Sequence, residues 1–184
     1  MGTLYLMRHA TTYANEQRIL QGRLDTQLTD LTPDGIALAR KQQQFLSQHK
    51  MDVCFSSPLK RATSTAKILF QNYDVLIKPD PRLVEVDYGI WNGTSIDELK
   101  QKHPRYWDSH LNDMVVDESC NPERESENQV LQRITSFKRM LETDYRHKQV
   151  VVVTHGYIIS KWLELAGTSV IEPVQNLQTI TLPI

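Results

Sequence analysis

Two short apolar runs, at residues 4–7 and 150–153, end abruptly on polar residues that carry a histidine: Arg8-His9 after the first, Thr154-His155 after the second. Short apolar runs of this kind read as buried strands, here spanning residues 3–7 and 150–154. Further strand candidates fall at residues 52–55, 74–77 and 179–182, and helical patterns separate most of them. Such alternation predicts crossover connections and an α/β fold with a largely parallel sheet. In open α/β sheets, ligands bind in the crevice outside the carboxyl ends of the strands. If the two histidine-bearing strands are neighbours, both imidazoles converge there. Taken alone, Arg8 would read as a surface residue and His9 as a satisfied core histidine.

The helix signals are local and specific. Thr32-Pro33 reads as an N-cap followed by proline at the first helical position, with Ile36, Ala39, Phe45 and Leu46 on the apolar side. Ser57-Pro58 repeats that signal ahead of Leu59, Ala62, Ala66 and Leu69. Ser95 with Glu98, and Ser126 with Gln129, each fit a capping box. The second opens a long amphipathic helix with Val130, Ile134, Phe137 and Leu141 on one face. His155-Gly156 leads into a helix carrying Ile158, Ile159, Trp162, Leu163 and Leu165. Residues 103–123 lack periodicity and read as a loop-rich excursion beside the sheet, and specificity is expected to reside in residues 88–124. The length of 184 residues suits one domain, 1–184.

Composition narrows the partners. A formal net charge of −1 provides no global field for nucleic acid or an acidic membrane, so anion recognition must be local. Cys54 and Cys120 form no paired motif, which suits a reducing compartment, and Cys54 reads as a buried small hydrophobe. No stretch approaches the roughly 18 apolar residues of a membrane span. The N-terminus has no signal-peptide pattern, and Leu6 stands where a myristoylation motif needs Ser or Thr. A soluble, cytoplasmic protein is expected.

The chemistry-bearing residues converge on phosphate. Arg8 adjoins His9, and Arg61 falls in the first turn of the helix behind Ser57-Pro58. Helix N-termini favour anions through unpaired N–H groups and the macrodipole. Two guanidiniums, two imidazoles and such a helix end suit a tetrahedral phosphate dianion. The chain has no P-loop pattern, no cysteine nucleophile loop and no metal-ligand spacing. The nucleophile left is an imidazole: neutral His9 can attack phosphorus in line while Arg8, Arg61 and His155 stabilise the equatorial oxygens. The leaving alkoxide needs a proton, and a positioned general acid contributes on the order of 10²–10⁴-fold. Glu85 is the leading candidate, with Asp87 second; in isolation both would read as solvated loop carboxylates.

These residues form an ordered series along nearly the whole chain: Arg8-His9-Ala10 with Thr12 and Asn15, then Gln21, Gly22, Asp25, Leu28 and Thr29, then residues 56–66 with Arg61, then Leu83-Val84-Glu85, and finally Thr154-His155-Gly156. The series resembles the histidine phosphatase superfamily, the phosphoglycerate-mutase-like proteins with a phosphohistidine intermediate. The resemblance implies a three-layer α/β/α sandwich around a mostly parallel sheet, with no metal or organic cofactor. It implies His9 as the phosphorylated nucleophile, Arg8, Asn15, Arg61 and His155 as phosphoryl-binding groups, and Glu85 as the group that donates and accepts the proton.

Three positions depart from that pattern. Thr11 stands where many members have Glu or Gln and is read as changing the pocket edge. Asn92 follows Trp91 where phosphatase members often carry Trp-Glu-Gly. Arg124 replaces a glycine between Pro122 and Glu125-Ser126, with Arg133 retained downstream, and is read as a surface residue. His49, His103, His110 and His147 are assigned to solvated surface, His103 and His110 as candidates for a pocket rim. Trp91, Trp107 and Trp162 are assigned to packing, with Trp107 placed to flank a substrate.

The resemblance is closest to the phosphatase branch, because residues 88–93 lack the mutases' insertion and no paired arginine occurs. It implies a metal-independent phosphomonoester hydrolase acting on a small phosphorylated metabolite, with α-ribazole 5′-phosphate a candidate. The alternatives are phosphoglycerate mutase-type transfer and, in another class, a catalytically silent domain that binds a phospho-ligand. A silent domain would have lost the nucleophile or an arginine, and neither is lost here. The expected partner is a small phosphomonoester, with neither nucleic acid nor membrane.

Overall fold

A computed structural model describes residues 2–108, 113–114 (backbone only), 121, 123–168 and 172–184. The strands are β1 (Thr3–Arg8), β2 (Val53–Ser56), β3 (Ile77–Pro79), β4 (Trp107–Asp108), β5 (Asp113–Met114), β6 (Gln149–Thr154) and β7 (Thr179–Pro183). The helices are α1 (Tyr13–Glu16), α2 (Pro33–Ser47), α3 (Lys60–Phe70), α4 (Ile96–Lys102), α5 (Glu127–Asp144) and α6 (Gly156–Leu165). Five strands form one sheet in the order β3-β2-β6-β1-β7, and β4 pairs with β5 in a small antiparallel ribbon. Within the large sheet only the β1–β7 pairing is antiparallel.

Strand alternation divides the core in two. Leu4, Leu6, Val150 and Val152 face the buried side of α5 and α6, where Ile134, Phe137, Ile158 and Trp162 pack. Tyr5, Met7, Val151 and Val153 face the other way, against Leu46 of α2 and Ala62, Ala66 and Leu69 of α3. Because β1 and β6 are covered on both faces, their sequences are continuous apolar runs rather than alternating ones. The result is the expected α/β/α sandwich. Each fully buried Leu, Ile, Val or Phe contributes about 1.5–3 kcal/mol, so the two layers clamp the tips of β1 and β6 firmly.

Several boundaries differ from the sequence expectation. β3 begins at Ile77 rather than residue 74, because Val75 N donates to Tyr73 O in a tight turn and pairing starts only where Leu76 O accepts from Cys54 N. Pro79 is tolerated in β3 because that strand is the sheet edge. Helix α3 begins at Lys60, not at Pro58; the Asp25 carboxylate accepts from Lys60 N at 3.1 Å, and Ser57 is used elsewhere. Both arms of the Ser126–Gln129 box are formed, whereas Ser95 makes only the arm from Glu98 N. Phe45 and Leu165, expected on buried faces, are 39% and 41% exposed. Phe45 instead lies beside the His49 ring, and Leu165 is the last residue of α6.

Cys54 is fully buried, and burial pushes its thiol pKa up. Cys120, His110 and Pro122 lie outside the described residues. No helix among the described residues is long and apolar enough to cross a membrane.

Candidate active site

β1 and β6 pair in parallel with Arg8 opposite Thr154, so the next residue of each, His9 and His155, emerges beside the other. Their ring centroids are 5.2 Å apart, and the rings are 2% and 0% exposed respectively. Burial, followed by the charges of Arg61 and Arg8, holds the His9 pKa well below the ordinary value of 6.5; a hydrogen bond to Ala10 opposes the shift but does not reverse it. Burial, then Arg61, His9, Arg8 and Arg133, does the same to His155. Both rings are therefore neutral at pH 7.

One hydrogen bond orients each ring, and for His9 it also fixes the tautomer. Ala10 O can only accept, so its 2.7 Å contact with His9 Nδ1 puts the ring proton there and the lone pair on Nε2. Ser57 Oγ accepts from Leu59 N at 3.3 Å and lies 2.7 Å from His155 Nε2. The hydroxyl can both donate and accept, and this contact orients the His155 ring; Nδ1 is the nitrogen that is buried without a partner among the described residues.

The cations are held by backbone carbonyls. Arg61 is 1% exposed; its Nη1 donates to Leu24 O at 2.9 Å and its Nη2 to Gly22 O at 2.7 Å. Gly22 must be glycine, since φ is +48° and a Cβ would stand 1.8 Å from Asn92 Oδ1. Burial lowers the Arg61 pKa to about 10, with Glu85 and Asp25 working against the shift, so the guanidinium stays charged. Arg8 Nη1 donates to Val174 O at 2.5 Å. Asn15 caps α1 through a reciprocal box with Thr12, which occupies its Oδ1 and turns the amide donor Nδ2 free of protein acceptors among the described residues.

Arg8, His9, Asn15, Arg61 and Glu85 line one cavity of about 250 Å³. His155 is fully buried against His9 rather than on the cavity wall. Asp87 does not reach that cavity: its Oδ1 accepts from Gly89 N and Asn92 Nδ2, closing the turn that follows Glu85. Glu85 itself is 9% exposed and sits in a segment braced from three sides. Leu83 O accepts from Thr154 Oγ1, Arg82 O from Arg133 Nη1, and Glu85 O from Arg23 Nε. Glu125 ties two of these braces together, pairing with Arg133 at 2.8 Å and Arg23 at 2.9 Å.

Sequence reasoning missed part of the site. Tyr157, Ser160 and Lys161 line the cavity from α6, at the i, i+3, i+4 spacing of one helix face, and that periodicity could have flagged them. Asn176 donates to His9 O at 2.8 Å, yet nothing in the pattern of residues 172–178 points to it. His103 stands by the Trp91 ring rather than on the cavity wall. Trp107 lies beneath Lys100 Nζ, at 4.2 Å, and is absent from that wall too. Thr11 contributes its carbonyl, which accepts from Thr32 N. Arg124, read as a surface residue, is 5% exposed; it packs on the rings of Tyr88 and Tyr157. Those partners are distant in sequence, which is why its burial was not legible.

A mostly parallel sheet covered by helices on both faces, with two imidazoles and two guanidiniums at its strand tips, defines an α/β protein of the phosphoglycerate-mutase-like class. The family model of the histidine phosphatase superfamily (branch 1) matches residues 4–179, and the chain belongs to that family. It is 32% identical over 161 residues to phosphoserine phosphatase 1 of Hydrogenobacter thermophilus, covering 84% of this chain and 71% of that protein. It is 30% identical over 201 residues to a 2,3-bisphosphoglycerate-dependent phosphoglycerate mutase of Nautilia profundicola, covering 92% and 86%. Among solved structures, Bacillus stearothermophilus YhfR matches with a TM-score of 0.82 at 25% identity, over 100% of this chain and 92% of that one. An α-ribazole phosphatase from Shigella flexneri shares the fold, with a TM-score of 0.80 at 24% identity over 99% and 90%.

Proposed function

We propose that this chain is a metal-independent phosphomonoester hydrolase that acts on a small phosphorylated metabolite through a phosphohistidine at His9. The observation that carries this reading is the neutral His9 ring, with Nδ1 committed to Ala10 O and Nε2 left as a lone pair in the cavity that the Arg8 and Arg61 guanidiniums line. In the first step Nε2 attacks phosphorus and the P–O bond to the leaving group breaks. Arg8, Arg61 and Asn15 Nδ2 stabilise the charge on the equatorial oxygens, and His155 packs against the His9 ring and positions it. Glu85 gives its proton to the departing alkoxide. In the second step a water attacks the phosphohistidine, Glu85 takes the water's proton, and inorganic phosphate leaves. A cavity of about 250 Å³ favours a small metabolite. The phosphoserine phosphatase relative supports hydrolysis, and the mutase relative makes transfer the competing outcome.

The test is a product balance in the presence of EDTA. p-Nitrophenyl phosphate, phosphoserine, 3-phosphoglycerate and α-ribazole 5′-phosphate would be supplied separately. The expected result is one inorganic phosphate per alcohol released from at least one of them. Isomerised phosphoglycerate without phosphate release would establish a mutase. Binding without turnover of any substrate would establish a silent domain, and loss of activity to the chelator would overturn metal independence.

A further inference from the structure

To serve as the proton donor, Glu85 has to hold its carboxyl within hydrogen-bond reach of the leaving oxygen, about 2.6–3.2 Å. A misplacement of about 1 Å can cost a hundredfold in rate. The segment around Glu85 supplies little of that precision itself. Residues 84–88 form no helix or strand and lie between two single 3₁₀ turns, Pro81–Leu83 and Gly89–Trp91. Val86 N donates to Glu85 Oε1 at 3.0 Å, so the aim of the carboxyl follows the backbone around it. That backbone is held from outside. Arg133 Nη1 donates to Arg82 O at 2.7 Å, and Arg23 Nε donates to Glu85 O at 3.3 Å.

One carboxylate organises both arginines. Glu125 Oε1 accepts from Arg133 Nε at 2.8 Å and Oε2 from Arg133 Nη2 at 3.0 Å, a bidentate pair. Arg23 Nη2 stands 2.9 Å from the same Oε2. Glu125 also grips the segment directly: its N donates to Asp87 O at 2.9 Å, and Asp87 N donates to its Oε2 at 3.4 Å. The Glu125 side chain is 10% exposed, so these contacts are made largely out of water, where they are stronger. The clamp is anchored to α5, since Glu125 precedes its N-cap Ser126 and Arg133 lies within it. We propose that Glu125 is the positioning residue of the catalytic acid. Through Arg133 and Arg23 it fixes the backbone on both sides of the Glu85 side chain. It does not line the cavity of His9 and acts on the reaction only through Glu85. This rests on Glu85 being the proton donor of the phosphatase reading.

The test reads the dependence of rate on the leaving group. Phenyl phosphate and p-nitrophenyl phosphate differ by one nitro group. The phenolate of the first leaves well only if the acid protonates it, whereas the nitrophenolate of the second departs without a proton. In Glu125→Gln, kcat/KM for phenyl phosphate should fall about tenfold further than kcat/KM for p-nitrophenyl phosphate. A merely structural glutamate would lower both equally and leave their ratio intact. Glu125→Asp keeps the charge and should hold the ratio within about threefold of the wild-type value. If Glu125→Gln does not fold, Arg23→Gln carries the test, because losing the bond to Glu85 O should still open the ratio by about threefold or more. A ratio unchanged in the folded variant would overturn the assignment. Glu85→Gln separates that failure from a failure of the reading beneath it, since it should open the ratio at least as far as Glu125→Gln. A ratio unchanged in Glu85→Gln would overturn Glu85 as the acid, and the assignment with it. Absence of hydrolysis of both esters by the wild-type protein would instead overturn the phosphatase reading.

Discussion

At the scale of single residues, the two imidazoles are set by one hydrogen bond each, to Ala10 O and to Ser57 Oγ. The backbone carbonyl cannot be mutated away, but the serine can. Ser57→Ala removes the hydroxyl that orients the His155 ring, against which His9 packs. We expect kcat to fall by about tenfold to a hundredfold with little change in KM, because the reacting ring loses its fixed position. Ser57→Thr should recover most of the rate, and ¹⁵N chemical shifts of His155 should move in the alanine variant alone. An unchanged kcat, or unchanged shifts, would remove Ser57 from the site. Residues such as His9 and Arg61 were legible in the sequence because they sit at strand tips and helix starts, where local pattern fixes position. Ser57 was legible only as a supposed N-cap, since its bond to His155 spans 98 residues.

At the scale of elements, periodicity carried most of the fold. Val130, Ile134, Phe137 and Leu141 were read as one face of a helix, and all four are buried in α5. The same rule placed Leu59, Ala62, Ala66 and Leu69, all buried. It failed where tertiary partners override the local signal. Asp25 caps α3 from a distant loop, so the helix starts two residues after Pro58. β3 starts late because a turn at residues 73–75 uses up its apolar lead. The braces on Glu85 show the same limit: Arg23 and Arg133 come from segments that share no pattern, and only the folded chain brings both to Glu125. The small ribbon of β4 and β5 lies in residues 103–123, where no periodicity had been found.

At the scale of the whole molecule, the buried neutral histidines make stability depend on pH. In the unfolded chain each titrates near 6.5, whereas in the folded chain His9 and His155 both titrate well below that. Below about pH 6.5 the unfolded state therefore binds protons that the folded state refuses, and stability falls with pH. Two such groups give a slope of up to about 2.7 kcal/mol per pH unit. Above about pH 7.5 both states are neutral and the term vanishes. Thermal melts should thus be flat near pH 8 and decline steeply below 6.5, and His155→Asn should flatten that decline. Melting temperatures unchanged down to pH 5 would mean the rings are not held neutral. The layers, the strand tips and the neutral rings together exist, on this account, to expose one lone pair at His9 Nε2. Rapid quench during turnover, followed by mass spectrometry of the peptide containing His9, tests that claim most directly. The account predicts an acid-labile phosphoryl group on His9 that forms at least as fast as turnover and is absent from His9→Ala. A phosphoryl group trapped on another residue, or persisting in His9→Ala, would contradict it.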